Sequence, residues 1–295
     1  MRILRVLTRL NLGGPARQVL ASDPILQRRG HELCILAGSP EAGEGDLFDE
    51  LEQRGLDVRR VKGLGRGLNP MQDLRAARGI RRAIEEFRPQ VLHTHASKAG
   101  YLGRSALRRM KGGAAIGRVH TFHGHVLEGY FPALISKRLI HKETQLASQT
   151  DRILAVSHAT ADDLLRLGVT EEAKLVVVPP GVELDAYLDI DRYGELGAGG
   201  RALREQIGAQ EGDVLVGCIG RLAEVKRVEL ALEIFASLAA RHPRAHLVFV
   251  GDGDQRRALE GRIKALGDLK ERVHLLGALE QMLPVYEALD LVLLT

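Results

Sequence analysis

The stretch "CIGRLAEVKR", Cys218 to Arg227, combines residue types that hold phosphate. An apolar run suited to a buried strand ends at Gly220, Arg221 is thrown toward a cleft, and Lys226 falls where the next helix is expected to begin. Two cations beside the positive end of a helix stabilise a diphosphate, the guanidinium as a planar fork and the ammonium as a point charge. A second anion cradle is expected in "TRLNLGGPARQVL", Thr8 to Leu20, where Gly13 and Gly14 follow the first strand and Pro15 suits the first helical position. Glycines there admit close backbone approach, and the amides of a helix start attract anions. "VGDGDQ", 250 to 255, repeats the strand, turn and helix order, with Gly251 and Gly253 placed to let a flat base or ribose lie against the backbone.

Histidines cluster in "VLHTHASKAGYLGR" (His93, His95) and "VHTFHGHVLEGY" (His120, His123, His125). His93 and His95 are two apart on an expected strand and face one side, which makes a metal site thinkable. No Cys or carboxylate pattern at zinc spacing accompanies them. Imidazoles that hydrogen-bond at strand tips are the better reading, several of them satisfied by backbone, and no metal is expected. Lys98, Arg104, Arg108, Arg109 and Lys111 read as a basic helix, with Arg104, Arg108 and Lys111 on one face and Leu102 and Leu107 packed inward. Such a run is usually a solvated face. Its alternative role is to dock on an anionic membrane surface or to meet a phosphorylated acceptor. "GLGRGLNP", 63 to 70, offers G-x-G-x-G, but Pro70 follows too closely for a helix to open at the glycines, and a flexible loop is expected.

These residues are hung on an alternation of short apolar runs and amphipathic stretches. The runs "RILRVL" (2 to 7), "ELCILA" (32 to 37), "VLHTH" (91 to 95), "IGRVH" (116 to 120), "RILAVS" (152 to 157) and "KLVVVPPG" (174 to 181) specify right-handed βαβ units and a parallel sheet. A polar, Gly-rich stretch over 182–201 then reads as a linker between a first domain, 1–181, and a second, 202–295. In the second, "DVLVGCIG", "AHLVFVG", "RVHLLG" and "LDLVLLT" alternate with helices expected to begin near Lys226, Asp254 and Glu280. Two doubly wound domains in series place the carboxyl ends of two sheets across a cleft, where such sheets bind ligands. The second domain is expected to be incomplete, ending on a strand that would be central in a domain matching the first.

A chain of 295 residues supports about two domains, and an apolar content of 45% fits a soluble globular protein. Lys and Arg number 42 against 38 Asp and Glu, and a net charge of +4 does not imply nucleic acid without a local cluster. Cys34 and Cys218 lie in apolar, strand-like runs and read as buried reduced thiols, which suggests the cytoplasm. The N-terminus "MRILRVLTRL" lacks the apolar core of a signal peptide, and no run of about 18 apolar residues occurs.

Taken in order, "NLGGPARQV", "HTHASKAGYLGR", "HTFHGHVLEGYF", "TDRILAVS", "VVVPPGV", "GRLAEVKR", "VGDGDQRRALE" and "RVHLLG" resemble the signature run of the retaining glycosyltransferase family 4, of the GT-B fold, over essentially the whole chain. The resemblance implies a nucleotide-sugar donor, with UDP the expected nucleotide, bound mainly by the second domain, and no metal or other cofactor. Gly13 and Gly14 would approach the donor diphosphate, His123 would lie beside the transferred sugar, and Arg221 and Lys226 would hold the β-phosphate of the leaving nucleotide. The first domain would bind a lipid-linked, polysaccharide or small-molecule acceptor, with Arg17, His95 and Lys98 as candidates and peripheral membrane contact through 98–111. In the family, E-x-x-x-x-x-x-x-E follows the strand that matches "LDLVLLT". This sequence stops short of it, so a fragment with weak or no turnover is expected. Two alternatives are a nucleotide-sugar 2-epimerase of the same fold and an inactive sugar-nucleotide-binding fragment.

Overall fold

The computed structural model describes the chain apart from residues 12, 41–44, 68, 126, 189, 191–196 and 280. It divides into two compact units, Met1–Val182 and Glu183–Thr295. The described strands of the first are β1 Arg2–Arg9, β2 Glu32–Gly38, β3 Asp57–Arg60, β4 Val91–His95, β5 Gly117–Phe122, β6 Arg152–Ala155 and β7 Leu175–Val177. They form one parallel sheet in the order β3-β2-β1-β4-β5-β6-β7, with the order reversing beside β1. The connecting helices are α1 Gly14–Arg28, α2 Phe48–Gln53, α3 Pro70–Phe87, α4 Ser97–Arg108, α5 Ala133–Ala147 and α6 His158–Arg166.

Each central strand buries both faces, as expected of a sheet covered by helices on two sides. Along β1, Leu4 and Val6 enter a core with α3 and α4, whereas Ile3 and Leu7 enter a second core with α1 and α2. Arg5 belongs to the second row and is nonetheless only 5% exposed. Asn69 starts α3 by accepting from the amides of Met71 (3.1 Å) and Gln72 (3.2 Å), so the helix opens after the glycine-rich 63–67 stretch. Cys34 and Cys218 are free and buried, and burial pushes the Cys34 thiol up to about 12.

Helix α4 departs from the one-sided basic helix expected over 98–111. Arg104 is 3% exposed and pairs with Glu143 of α5. Lys98 pairs with Asp73 of α3 at 2.6 Å, and its Nζ donates to the Gly67 carbonyl. Arg108 remains exposed at the end of the helix, while Arg109 and Lys111 lie beyond it. The reason is packing: α4 lies close on β4 and β5 through glycines. A Cβ on Gly100 would stand 2.4 Å from His120 Cε1, and one on Gly103 2.7 Å from Thr94 Cγ2. That approach carries the 104 position inward, where the guanidinium needs a carboxylate partner.

The second unit contains α7 Asp185–Leu188, α8 Ala198–Gln206, α9 Val228–Leu238, α10 Arg256–Lys264 and α11 Leu283–Ala288. Its strands β8 Val214–Ile219, β9 Ala245–Val250, β10 Val273–Leu275 and β11 Leu291–Val292 form a parallel sheet ordered β10-β9-β8-β11. The described part of the expected linker therefore holds α7 and the start of α8, while 189 and 191–196 lie outside the described residues. Gly200 donates to Glu287 at 2.9 Å, which ties α8 to α11. The helices expected near Lys226 and Asp254 begin at Val228 and Arg256, and α11 begins at Leu283, with Glu280 outside the described residues. At the β11 edge Leu291 and Leu294 are exposed. Among the described residues no helix is long and apolar enough to cross a membrane.

Candidate functional site

In the first unit the candidate residues gather at the carboxyl ends of β1, β4 and β5, beside the reversal in strand order. Chains that diverge there leave a crevice in open α/β sheets. Gly13 precedes α1, and its amide donates to Asn11 Oδ1 at 3.3 Å. No side chain caps the helix start, and no acidic residue occupies its first turn. The amides there suit an anion. A Cβ on Gly14 would meet nothing within 4 Å, so the fold by itself does not demand glycine at that position. Arg17, partly exposed, lies one turn into the same helix.

A polar chain runs along the face of the sheet that α1 covers. Asp23, fully buried on α1, pairs with Arg5 Nη2 at 2.8 Å. Arg5 Nη1 donates to His93 Nδ1 and to His95 Nε2, both at 3.1 Å. His93 Nε2 meets Thr121 Oγ1 at 2.8 Å, and His95 Nδ1 meets His123 Nε2 at 3.0 Å. The rings of His95 and His123 are stacked with centroids 5.3 Å apart. Burial, followed by Arg5, lowers the His123 imidazole to about 4. Burial likewise holds His93, His95 and His120 well below the usual histidine range. All four imidazoles are therefore neutral at pH 7.

His95 follows the β4 row that faces α1, and at 1% exposure it is sealed inside. Expected on the acceptor side, it is buried here with its Nδ1 against His123. Lys98, held by Asp73, is likewise tied to the fold. Sequence reasoning missed Arg5 and Asp23. The available signal was Arg5 interrupting an apolar strand, with Asp23 on the Val19–Leu20 face of α1. His125 pairs with Asp163 at 3.1 Å, and His120 accepts or donates to Thr94 at 2.8 Å on the opposite face of the sheet. Among the described residues, no group of three or more His, Cys, Asp or Glu is placed to hold a metal.

In the second unit the loop after β8 carries Arg221 and Lys226, both exposed and without a carboxylate partner among the described residues. Lys226 closes a short 3-10 turn, Glu224–Lys226, and Arg227 at φ 45° leads into α9. The backbone of this loop is laced to the loop after β9. Gly220 donates to Val250, Leu222 to Asp252 and Gln255 to Leu222, each at 2.9 Å. Gly251 and Gly253 make that contact sterically feasible. Their φ values are 137° and 159°, and a Cβ would stand 2.0 Å from the Gly220 oxygen and 2.3 Å from the Leu222 oxygen. These glycines hold the cation-bearing loop in place. Gly253→Ala is expected to lower the stability of the second unit by about 2 kcal/mol or more, through backbone strain and clash. Thermal denaturation followed by circular dichroism measures this, and an unchanged melting temperature would contradict the packing role.

Two Rossmann-like units, each with candidate residues at the carboxyl ends of parallel strands, define a protein of the GT-B class. The profile described as Glycosyltransferase Family 4 matches residues 12–186, and that of Glycosyl transferases group 1 matches 201–295. The chain belongs to Glycosyltransferase Family 4. It is 25% identical over 290 residues to the Escherichia coli UDP-Gal:alpha-D-GlcNAc-diphosphoundecaprenol alpha-1,3-galactosyltransferase, covering 96% of this chain and 70% of that one. It is 27% identical over 301 residues to a D-inositol 3-phosphate glycosyltransferase of Mycobacterium sp. (strain KMS), covering 95% of this chain and 64% of that enzyme. In fold it is similar to Anabaena HepE, solved in complex with UDP and glucose, with a TM-score of 0.77, 20% identity and coverage of 100% of this chain and 74% of that one.

Proposed function

We propose that the protein transfers a sugar from a UDP-sugar to a lipid-linked or polysaccharide acceptor, with retention of anomeric configuration and without a metal. The observation that carries this reading is the pair Arg221 and Lys226, two exposed cations with no carboxylate partner among the described residues, on one loop of a chain in this family. As the glycosidic bond to phosphate breaks, negative charge grows on the leaving diphosphate and the sugar becomes oxocarbenium-like. Cations already in place stabilise that state more than the ground state. The uncapped start of α1, with open space at Gly14, offers amides to the same kind of anion. His123, partly exposed at the end of β5, offers a neutral ring to the transferred sugar. The acceptor proton passes to the leaving phosphate on the same face, so no protein base is required. The E. coli relative acts on a diphosphoundecaprenol-linked sugar and HepE was solved with UDP, which supports a UDP donor and a lipid-linked acceptor.

A thermal-shift panel of nucleotide sugars in EDTA tests the donor assignment. UDP-hexoses near a hundred times their dissociation constant should stabilise the protein by about 2.7 kcal/mol. A response confined to another nucleotide, or one that needs added magnesium, would overturn it.

A further inference from the structure

We propose that Asp23, Arg5 and His95 form a positioning relay that fixes His123 with its ring proton on Nδ1, aiming that N–H at an acceptor oxygen of the donor sugar. The inference rests on the reading that His123 meets the transferred sugar. It follows from one asymmetry: a guanidinium can only donate. Arg5 Nη1 carries two hydrogens and has two imidazole partners, His93 Nδ1 and His95 Nε2, at 3.1 Å each. Both of those nitrogens must therefore accept. Neutral His95 then bears its proton on Nδ1, 3.0 Å from His123 Nε2, which accepts in turn. The His123 proton is left on Nδ1, an atom without a partner among the described residues. By the same logic His93 bears its proton on Nε2 and donates to Thr121 Oγ1.

The three members behind His123 are each held from a second direction. Arg5 is anchored by Asp23 at 2.8 Å, and Asp23 also accepts from Ser22 at 2.9 Å. The His93 and His95 rings stack with centroids 4.3 Å apart. Among the described residues Arg5, His93, His95 and His120 are the titratable groups coupled to His123, and Asp23 reaches it through Arg5. A second proton on His95 would sit against Arg5, and one on His123 would displace the His95 donor, so the relay opposes both. A His123 free to exchange tautomers would present a donor to the sugar only part of the time. The relay makes that donor permanent and so selects a sugar oxygen with a free lone pair.

Multiple-bond nitrogen–proton NMR of the histidine-labelled chain at pH 7.5 tests this without mutation. The expected spectrum has His95 and His123 protonated on Nδ1 and His93 on Nε2; a His123 proton on Nε2, or averaging between both nitrogens, overturns the relay. His95→Leu should release His123 into averaging and lower kcat about tenfold, while His95→Asn, whose amide can donate from near the Nδ1 position, should restore most of both. Equal losses in the two variants with an unchanged His123 tautomer would also overturn it. A His123 locked on Nδ1, in a protein whose His123→Ala variant transfers sugar at the wild-type rate, would instead overturn the sugar-contact reading and the relay's functional role together.

Discussion

Lowering the pH from 7 to 5 is expected to unfold the Met1–Val182 unit. His93, His95, His120 and His123 all have imidazoles held below the usual range by burial, His123 at about 4. In the unfolded chain the same rings titrate near 6.5. Between those limits the unfolded state binds more protons, so stability is complete above about 6.5 and is lost as the pH falls toward the folded values. Each proton taken up only by the unfolded chain contributes roughly 1.4 kcal/mol per pH unit, and all four rings act in the same direction. Asp23 acts in the opposite sense, because burial raises its carboxyl, but it supplies at most one proton. A domain stability of about 5–15 kcal/mol is small enough for several such protons to matter. Circular dichroism and limited proteolysis across pH 7.5 to 4.5 should show stability falling once the pH drops below about 6.5. A first unit with an unchanged melting temperature at pH 5 would refute the neutral-histidine assignment.

Arg221→Ala or Lys226→Ala should lower kcat/KM by roughly ten- to a thousandfold, the range seen when a preorganised charge-stabilising group is removed. Both side chains are exposed and lack carboxylate partners among the described residues, so their removal should leave the melting temperature nearly unchanged. That separation is the useful feature of the experiment. Loss of activity with intact stability identifies cations that act on the substrate, whereas wild-type kinetics in both variants would remove them from the phosphate site. Arg221→Lys should recover only part of the loss, since an ammonium keeps the charge but not the planar fork.

Most strands were legible because buried parallel strands read as apolar runs, continuous in β2, β8 and β9 and broken by polar residues in β1 and β4. β3 was not. Its sequence, Asp-Val-Arg-Arg, carries one apolar residue, and its arginines find partners away from the strand, Arg59 with Glu86 and Arg60 with Asp46. The cationic loop of the second unit could be named from its residue types, but the task of Gly251 and Gly253 could not, because it depends on carbonyls of another loop. The histidine pair was visible as a spacing of two. Its meaning depended on Arg5 and Asp23, a strand residue and a helix residue whose partnership is set by how α1 lies on the sheet. Helical periodicity placed Arg104 on a solvated face, and the glycines that draw α4 inward reversed that placement.

The contact between Gly100 and His120 also constrains how this sequence can vary. A methyl group at 100 would stand 2.4 Å from His120 Cε1 and 3.0 Å from its Nδ1, and the ring is pinned by Thr94. The two positions are therefore epistatic. A lineage can exchange Gly100 for a larger residue only after position 120 has become smaller, because the reverse order passes through an intermediate with two groups in one space. Position 120 is freer to change first, at the cost of a cavity that a later substitution at 100 can fill. Replacements at these two sites should accordingly be found together, and their order of appearance is fixed by geometry.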